Sequence, residues 1–278
     1  MLSIEQALVV QGDAAAHKVD GLRSPARFVV SGALAGAYLG IGVVLMISTA
    51  GPLIEAGTGA GKLVSGIVFG AALTLVVFAG GELATSSMMT LTQGTAMRRV
   101  HGGRALLALL VTFAANMIGA AAFAALVAGA GVLHSNPAAE AMLTDMLAAK
   151  AGETPLELFL RGILCNVLVC LAIWMVARLT TDGPKIAVIL LAILAFIASG
   201  FEHVVANMTT YALGMMTGIE DATWADFGGN MLWVGLGNLV GGALLVGLAY
   251  WFVGGSPRHH AAPADATHAA PIAAVENR

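Results

Sequence analysis

The sequence predicts an all-α polytopic membrane protein: six transmembrane helices in an inverted 3+3 repeat, with the second and fifth helices broken. Three observations carry this reading. Only 10% of the 278 residues are charged and 58% are hydrophobic, with a mean hydropathy of +0.87, whereas soluble domains carry about 25% charged residues. Six apolar stretches each hold the roughly 20 residues that a helical crossing needs. Two of them overrun a single crossing and are interrupted by Gly/Ser-rich segments that carry a glutamate. The stretches are too long and too unalternating for barrel strands. Thirty-five glycines suit helices that pack closely in lipid.

Taken in order, residues 1–26 are mixed polar and apolar, without the compact apolar region of a signal peptide. Within them, residues 3–20 read either as an amphipathic helix capped by Ser3 on the cytoplasmic membrane surface or as a frayed terminus. The six crossings follow at about 28–48, 63–97, 105–132, 156–179, 186–216 and 230–253. The second is interrupted at residues 79–87, Ala-Gly-Gly-Glu-Leu-Ala-Thr-Ser-Ser, and the fifth at residues 199–203, Ser-Gly-Phe-Glu-His. A tail rich in Ala, Pro and His closes the chain, and its His259, His260 and His268 read as disordered polar residues. The chain thus divides into a cytoplasmic amphipathic segment (1–26), a six-helix membrane domain (27–254) and a disordered cytoplasmic tail (255–278).

Charge sets the orientation. With an even number of crossings both termini share one side. That side gathers Lys18, Arg23, Arg27, Arg98, Arg99, Arg104, Arg178, Lys185, Arg258 and Arg278, against Lys62, Lys150 and Arg161 opposite. The bias places both termini in the cytoplasm. A net charge of −3 carries no information on partners, and no basic cluster points to nucleic acid. Cys165 and Cys170 fall within one apolar stretch and read as small core residues rather than a disulfide or metal site. No cofactor or metal set is expected.

The two halves resemble each other at an offset near 120 residues. Asn116-Met-Ile-Gly-Ala-Ala matches Asn238-Leu-Val-Gly-Gly-Ala, and Gly81-Glu82 followed by Ser87-Met88 matches Phe201-Glu202 followed by Asn207-Met208. Three crossings per half is an odd number, so the second half enters the membrane upside down and the two breaks meet near mid-depth.

An interrupted membrane helix exposes backbone N–H groups at the start of its second half, and these donors favour negative charge. Such backbone is tolerated only inside protein or along a wet cavity. Thr85, Ser86 and Ser87 add hydroxyls on one side and His203 adds a donor on the other, so a small anion between the breaks would be hydrogen-bonded from both. An ionisable group at this depth marks an ion or proton pathway by default, and this is the reading for His203. Glu202 is read as a structural acceptor that holds the break by hydrogen bonds from nearby backbone or Asn166, and Glu82 likewise. Asn116 and Asn238 read as interhelical links. For Asn166 and Asn207 structural and pore-lining roles both stand. Met88, Met89, Met208, Met215 and Met216 read as packing.

At these residues the sequence resembles the formate/nitrite transporter family, most closely its nitrite-channel branch. Gly-Ala-Tyr-Leu-Gly-Ile-Gly at 36–42, Gly-Ile-Leu-Cys-Asn-Val-Leu-Val-Cys-Leu-Ala-Ile-Trp-Met at 162–175 and Ala-Phe-Ile-Ala-Ser-Gly-Phe-Glu-His at 195–203 carry the likeness, with Ala-Asn-Met-Thr at 206–209 and Asn-Met-Leu-Trp-Val-Gly-Leu-Gly-Asn at 230–238. It covers nearly all of residues 27–252. The resemblance implies an aquaporin-like fold and a homopentamer in the bacterial inner membrane, with lipid around it and a pore in each protomer. It implies passage of small monovalent anions such as nitrite or formate. By position, His203 matches the central pore histidine and Thr85 the threonine of the loop that faces it. Glu202, Asn166 and Asn207 match polar residues that orient the histidine, and Lys150 a lysine that attracts anions in the outer vestibule. Phe69, Leu73, Leu83, Val169 and Phe196 match two apolar constrictions flanking the histidine. Ala84 departs from the family's bulky Phe at that position. Either a neighbour fills the gap or the inner constriction is wider.

Under this reading His203 lends the anion a proton so that it passes the apolar slit as a neutral acid, which suits a side chain with an unperturbed pKa of about 6.5. Formate, nitrite and hydrosulfide are not distinguished. A neutral-solute channel would carry two Asn-Pro-Ala boxes, an ammonium channel two pore histidines, and a serine protease a nucleophile elbow at Ser86 or Ser87; none is found in the breaks.

Overall fold

In the structure, a computed structural model that describes residues 1–257, every element is helical. Residues 258–278, which include the tail histidines and Arg258 and Arg278 of the charge count, lie outside the described residues.

Helix α1 (Ile4–Gly21) starts at Ser3, whose hydroxyl accepts from Gln6 N while the Gln6 side chain accepts from Ser3 N. This reciprocal cap satisfies two donors that a helix start otherwise leaves open. Ala7 and Leu8 pack against Met89, Trp174 and Val246, and Leu2 is hydrogen-bonded to Arg178. The segment is therefore a docked helix rather than a frayed end.

Helix α2 (Pro25–Glu55) is followed by α3 (Gly61–Leu75), which continues through a π-helical turn to Gly80. The chain then leaves helical geometry at Gly80, whose φ of +85° suits glycine, and re-enters it as α4 (Ala84–Ala96). Helix α5 (Gly102–Gly129) ends the first half. Helix α6 (Pro137–Ala151) opens the second, capped by Asn136, whose side chain accepts from Ala139 N, with Pro137 in its first turn. Helices α7 (Pro155–Arg178) and α8 (Asp182–Ala198) follow. The turn after α8 uses Gly200 at φ +73°, and α9 (Val204–Thr217) begins after His203. Helix α10 (Trp224–Leu239) runs on through a π-helical stretch, Val240–Leu248, into α11 (Ala249–Val253).

Among the described residues, five helical runs are long and apolar enough to cross a membrane: Pro25–Glu55, Gly61–Gly80, Gly102–Gly129, Pro155–Arg178 and Trp224–Val253. The predicted fifth crossing is instead divided between α8 and α9. Glycines set the closest packing. A Cβ on Gly119 of α5 would lie 1.8 Å from the Ala33 carbonyl oxygen of α2, and one on Gly237 of α10 would lie 2.1 Å from that of Phe159 on α7. The α2–α5 and α7–α10 pairs are thus built alike, with backbone against backbone. Large apolar side chains such as Leu107, Leu110, Leu126 and Leu191 remain exposed on the outside, as a lipid-facing surface requires.

Candidate functional site

The two helix interruptions face each other in the middle of the bundle, and an asparagine holds each one. Asn116 of α5 accepts from Ala84 N at 2.9 Å. Its amide donates to the carbonyls of Gly32 at 2.8 Å and Glu82 at 2.7 Å. Asn238 of α10 does the same for the second interruption. It accepts from Val204 N at 3.0 Å and donates to the carbonyls of Gly162 at 2.7 Å and Glu202 at 2.9 Å. Both asparagines are fully buried. They link helices, as expected, and they also hydrogen-bond backbone groups that each break would leave without partners.

Each interruption also carries a glutamate neutralised by a lysine from the helix that opens its half. Lys150 of α6 reaches both carboxylate oxygens of Glu202 at 2.6 Å, and Asn207 donates to the same carboxylate at 2.6 Å. Asn207 in turn donates to Asn230 Oδ1 at 2.8 Å. Lys18 of α1 pairs with Glu82 in the first half. Lys150 is thus buried and ion-paired rather than a free vestibule cation. The expected Asn166–Glu202 bond is not formed. Asn166 donates instead to the carbonyls of Thr85 at 3.1 Å and Asn238 at 2.7 Å, tying α7 to α4 and α10.

His203 and Thr85 meet across the interface, with Nε2 and Oγ1 3.0 Å apart. His203 is also the N-cap of α9, its Nδ1 accepting from Ala206 N at 3.1 Å. An acceptor at Nδ1 assigns the ring proton of a neutral imidazole to Nε2 by the hydrogen-bond network, so Nε2–H donates to Thr85. Thr85 lies in the first turn of α4 rather than in the preceding loop. Ser86 and Ser87 do not join it. Their hydroxyls turn back to the Leu83 carbonyl at 3.1 and 2.7 Å.

Apolar side chains enclose the pair. The Phe196 ring stacks on the imidazole at 6.0 Å, and Phe69 meets Phe196 edge-on at 6.0 Å. Leu73, Leu83, Ala84 and Val169 share this buried core. Ala84 is fully buried. A cavity of about 390 Å³ opens from this region, and Phe69, Phe196, Glu202, His203 and Asn207 are in its wall. Lys150, Glu153 and Arg161 also line it.

Sequence reasoning missed α6, although Asn136-Pro137 followed by Glu140 is a helix-start signature. It counted Lys18 only as an orienting charge. It did not single out Glu153 or assign Arg161 any role beyond orientation. Cys165 and Cys170 are free and buried, in keeping with a packing role.

A bundle of membrane-length helices, with a cavity leading to a buried polar station between two helix starts, is the architecture of a membrane transport protein. The chain belongs to the formate/nitrite transporter family, whose profile matches residues 4–252. A nitrite transporter of Salmonella typhimurium is 42% identical over 255 residues, covering 91% of this chain and 92% of the relative. Two solved structures share the fold. One, described as a formate/nitrite transporter family ion channel, superposes with a TM-score of 0.83 at 38% identity over 89% of this chain and 98% of its own. The other, a pentameric formate channel with formate bound, gives 0.72 at 26% identity over 83% and 98%. These relatives are transporters and channels, not enzymes.

Proposed function

We propose that this protein conducts small monovalent anions, nitrite first and formate second, across the bacterial inner membrane. Each protomer of a homopentamer would hold one pore, and both termini would face the cytoplasm. The observation that carries the reading is the His203–Thr85 contact at 3.0 Å, made between two helix starts at the inner end of a cavity. Helix starts favour anions, and the flanking side chains are apolar.

The path we infer is a six-crossing inverted repeat in which α3–α4 and α8–α9 are the two broken crossings. The matched packing of α2 on α5 and of α7 on α10 supports it, as do the two matched asparagine clamps. In this frame residues 1–26 form a cytoplasmic segment, 27–254 the channel and 255–278 the tail. Phe69 and Phe196 form the outer slit and Leu73, Leu83, Ala84 and Val169 the inner one. An anion crossing them loses water and regains hydrogen bonds from Thr85 Oγ1 and His203 Nε2–H. Glu202, Asn207 and Asn166 hold this station in place. Lys150, neutralised by Glu202, shapes the potential of the outer approach.

His203 serves as the proton relay. To lend a proton and remain neutral, the ring must first take a second proton from cavity water, and that proton is released to bulk water when the acid leaves. The second proton goes on Nδ1. That costs the cap to Ala206 N, so proton transfer is linked to loosening of the first turn of α9. The anion leaves the station as its neutral acid and recovers its charge in bulk water.

The test is stopped-flow uptake of nitrite, formate and chloride into proteoliposomes, wild type beside His203→Phe, from pH 5 to 8. Fast nitrite uptake that loses its pH dependence in the variant supports the reading. Uptake unchanged by the substitution at every pH removes the relay, and movement of water or glycerol without anions removes the anion channel. Formate or hydrosulfide faster than nitrite would move the assignment within the same family.

A further inference from the structure

Two charged groups in the outer part of the cavity are not absorbed by the mechanism above. Arg161 sits on α7 one and a half turns before Asn166, and its side chain is 41% exposed. Its guanidinium pairs with Glu153, in the bend between α6 and α7. Its main-chain carbonyl accepts from Glu202 N at 3.3 Å, which places Arg161 next to the segment that carries His203. Arg161 and Glu153 both line the cavity.

The second observation concerns Glu153. Its side chain is 10% exposed, and while Oε1 takes the guanidinium, Oε2 is buried without any hydrogen-bond partner. An unpartnered carboxylate oxygen is costly. A proton on it, or a hydrogen-bond donor delivered in the cavity, would relieve it. Guanidinium is a planar fork that binds a carboxylate through two parallel bonds. Nitrite and formate are planar O–X–O anions of the same shape as the carboxylate already in place.

Building on the channel reading, we propose that Arg161 is a docking residue for planar O–X–O anions in the outer vestibule, and that Glu153 is its built-in competitor. With Glu153 ionised, the carboxylate holds Arg161. With Glu153 protonated, the pair weakens, the guanidinium turns to the anion, and the Glu153 O–H can donate to it. No covalent step is involved.

The direction of the pH dependence follows from what surrounds Glu153. Burial, first, and then the Glu202 carboxylate raise its affinity for a proton, against the opposing pull of Arg161 and Lys150; Glu157 adds to the raising side. Asp145 of α6 and Lys62 of α3 line the same cavity, and the Tyr211 phenol of α9 is near enough to feel the same carboxylate. The carboxyl therefore takes its proton at a less acidic pH than an exposed glutamate. Below its folded-state pKa Arg161 is available, and as pH rises through that value the competitor returns. Anion capture strengthens toward acid.

The experiment measures initial uptake rates against nitrite and chloride concentration in proteoliposomes of wild type, Glu153→Gln, Arg161→Lys and the double variant, at pH 5.5 and 7.5. Glutamine imitates the protonated carboxyl, so at pH 7.5 Glu153→Gln should lower the half-saturating nitrite concentration about fivefold, the size of a partly exposed ion-pair competition. At pH 5.5 its difference from wild type should shrink. Lysine keeps the charge and loses the fork, so Arg161→Lys should raise the nitrite constant, leave chloride unchanged and cancel the Glu153→Gln gain in the double variant. Calorimetric titration of nitrite into the solubilised pentamers gives the same comparison without conduction. Wild type that binds nitrite but conducts no anion would defeat the channel reading while the binding order still decides the docking role. Nitrite capture by Glu153→Gln equal to wild type at pH 7.5, or wild-type discrimination against chloride in Arg161→Lys, overturns the inference.

Discussion

Replacing Asn238 with alanine removes one side chain and three hydrogen bonds from the second helix interruption. Val204 N loses its acceptor at 3.0 Å, and the carbonyls of Gly162 and Glu202 lose donors at 2.7 and 2.9 Å. Asn238 is fully buried, so no bulk water stands ready to replace it. Val204 N and the Glu202 carbonyl are left unsatisfied at about 1–3 kcal/mol each, and the Gly162 carbonyl, which keeps its helical donor, loses a second bond of about 1 kcal/mol, so the loss is roughly 3–7 kcal/mol. Local relaxation and one trapped water favour the lower end, about 3 kcal/mol. For a chain of this size that is a fall of about 5–10 °C in the thermal midpoint. The functional loss should exceed what stability alone implies, because His203 lies between the two residues whose backbone Asn238 holds. The assay is a thermal scan of the detergent-solubilised protein beside nitrite uptake at a temperature where the variant is still folded. Asn116→Ala should cost a similar amount through Ala84, Gly32 and Glu82. A variant that melts and conducts like wild type would refute the clamp.

Further predictions concern the ion pair and the glycine contacts. Lys150→Met strands the Glu202 carboxylate with Asn207 as its remaining side-chain donor and should destabilise by about 3–5 kcal/mol. The double variant Lys150→Met, Glu202→Gln should recover most of that loss in the same thermal scan, and a double variant no better than the single one would contradict the pairing. Gly237→Ala forces a Cβ to 2.1 Å from the Phe159 oxygen, backbone that cannot rotate away. It should abolish the monodisperse peak on size-exclusion chromatography, whereas Gly228→Ala, with nothing within 4 Å of the added Cβ, should elute as wild type.

Hydropathy made the long helices legible, because lipid demands an apolar run whatever the partner helices are. The interruptions were visible for a related reason: Gly80-Gly81 and Ser199-Gly200 cannot be explained as ordinary membrane helix beside a glutamate. His203 stood out by the cost of its placement. What stayed hidden depends on contacts distant in sequence. Lys18 finds Glu82 and Lys150 finds Glu202 at separations of 64 and 52 residues, and no local pattern specifies such a pair. Ser86 and Ser87 do not serve as pore hydroxyls because serine in a first helical turn can satisfy itself on its own backbone, as both do on Leu83. Helix α6 was passed over because it is short and only moderately apolar, so hydropathy did not flag it. Its start signal, Asn136-Pro137, was there to be read.

In the proposed pore the anion is hydrogen-bonded between Thr85 and His203. Nitrite uptake through Thr85→Val beside Thr85→Ser tests it most directly, because valine keeps the shape and removes the hydroxyl while serine restores it. Loss of one charge-assisted hydrogen bond, about 1.5–3 kcal/mol, corresponds to roughly 10- to 100-fold in rate. Uptake should fall by that amount in Thr85→Val, with Thr85→Ser close to wild type. Wild-type nitrite uptake by a folded Thr85→Val would rule this out.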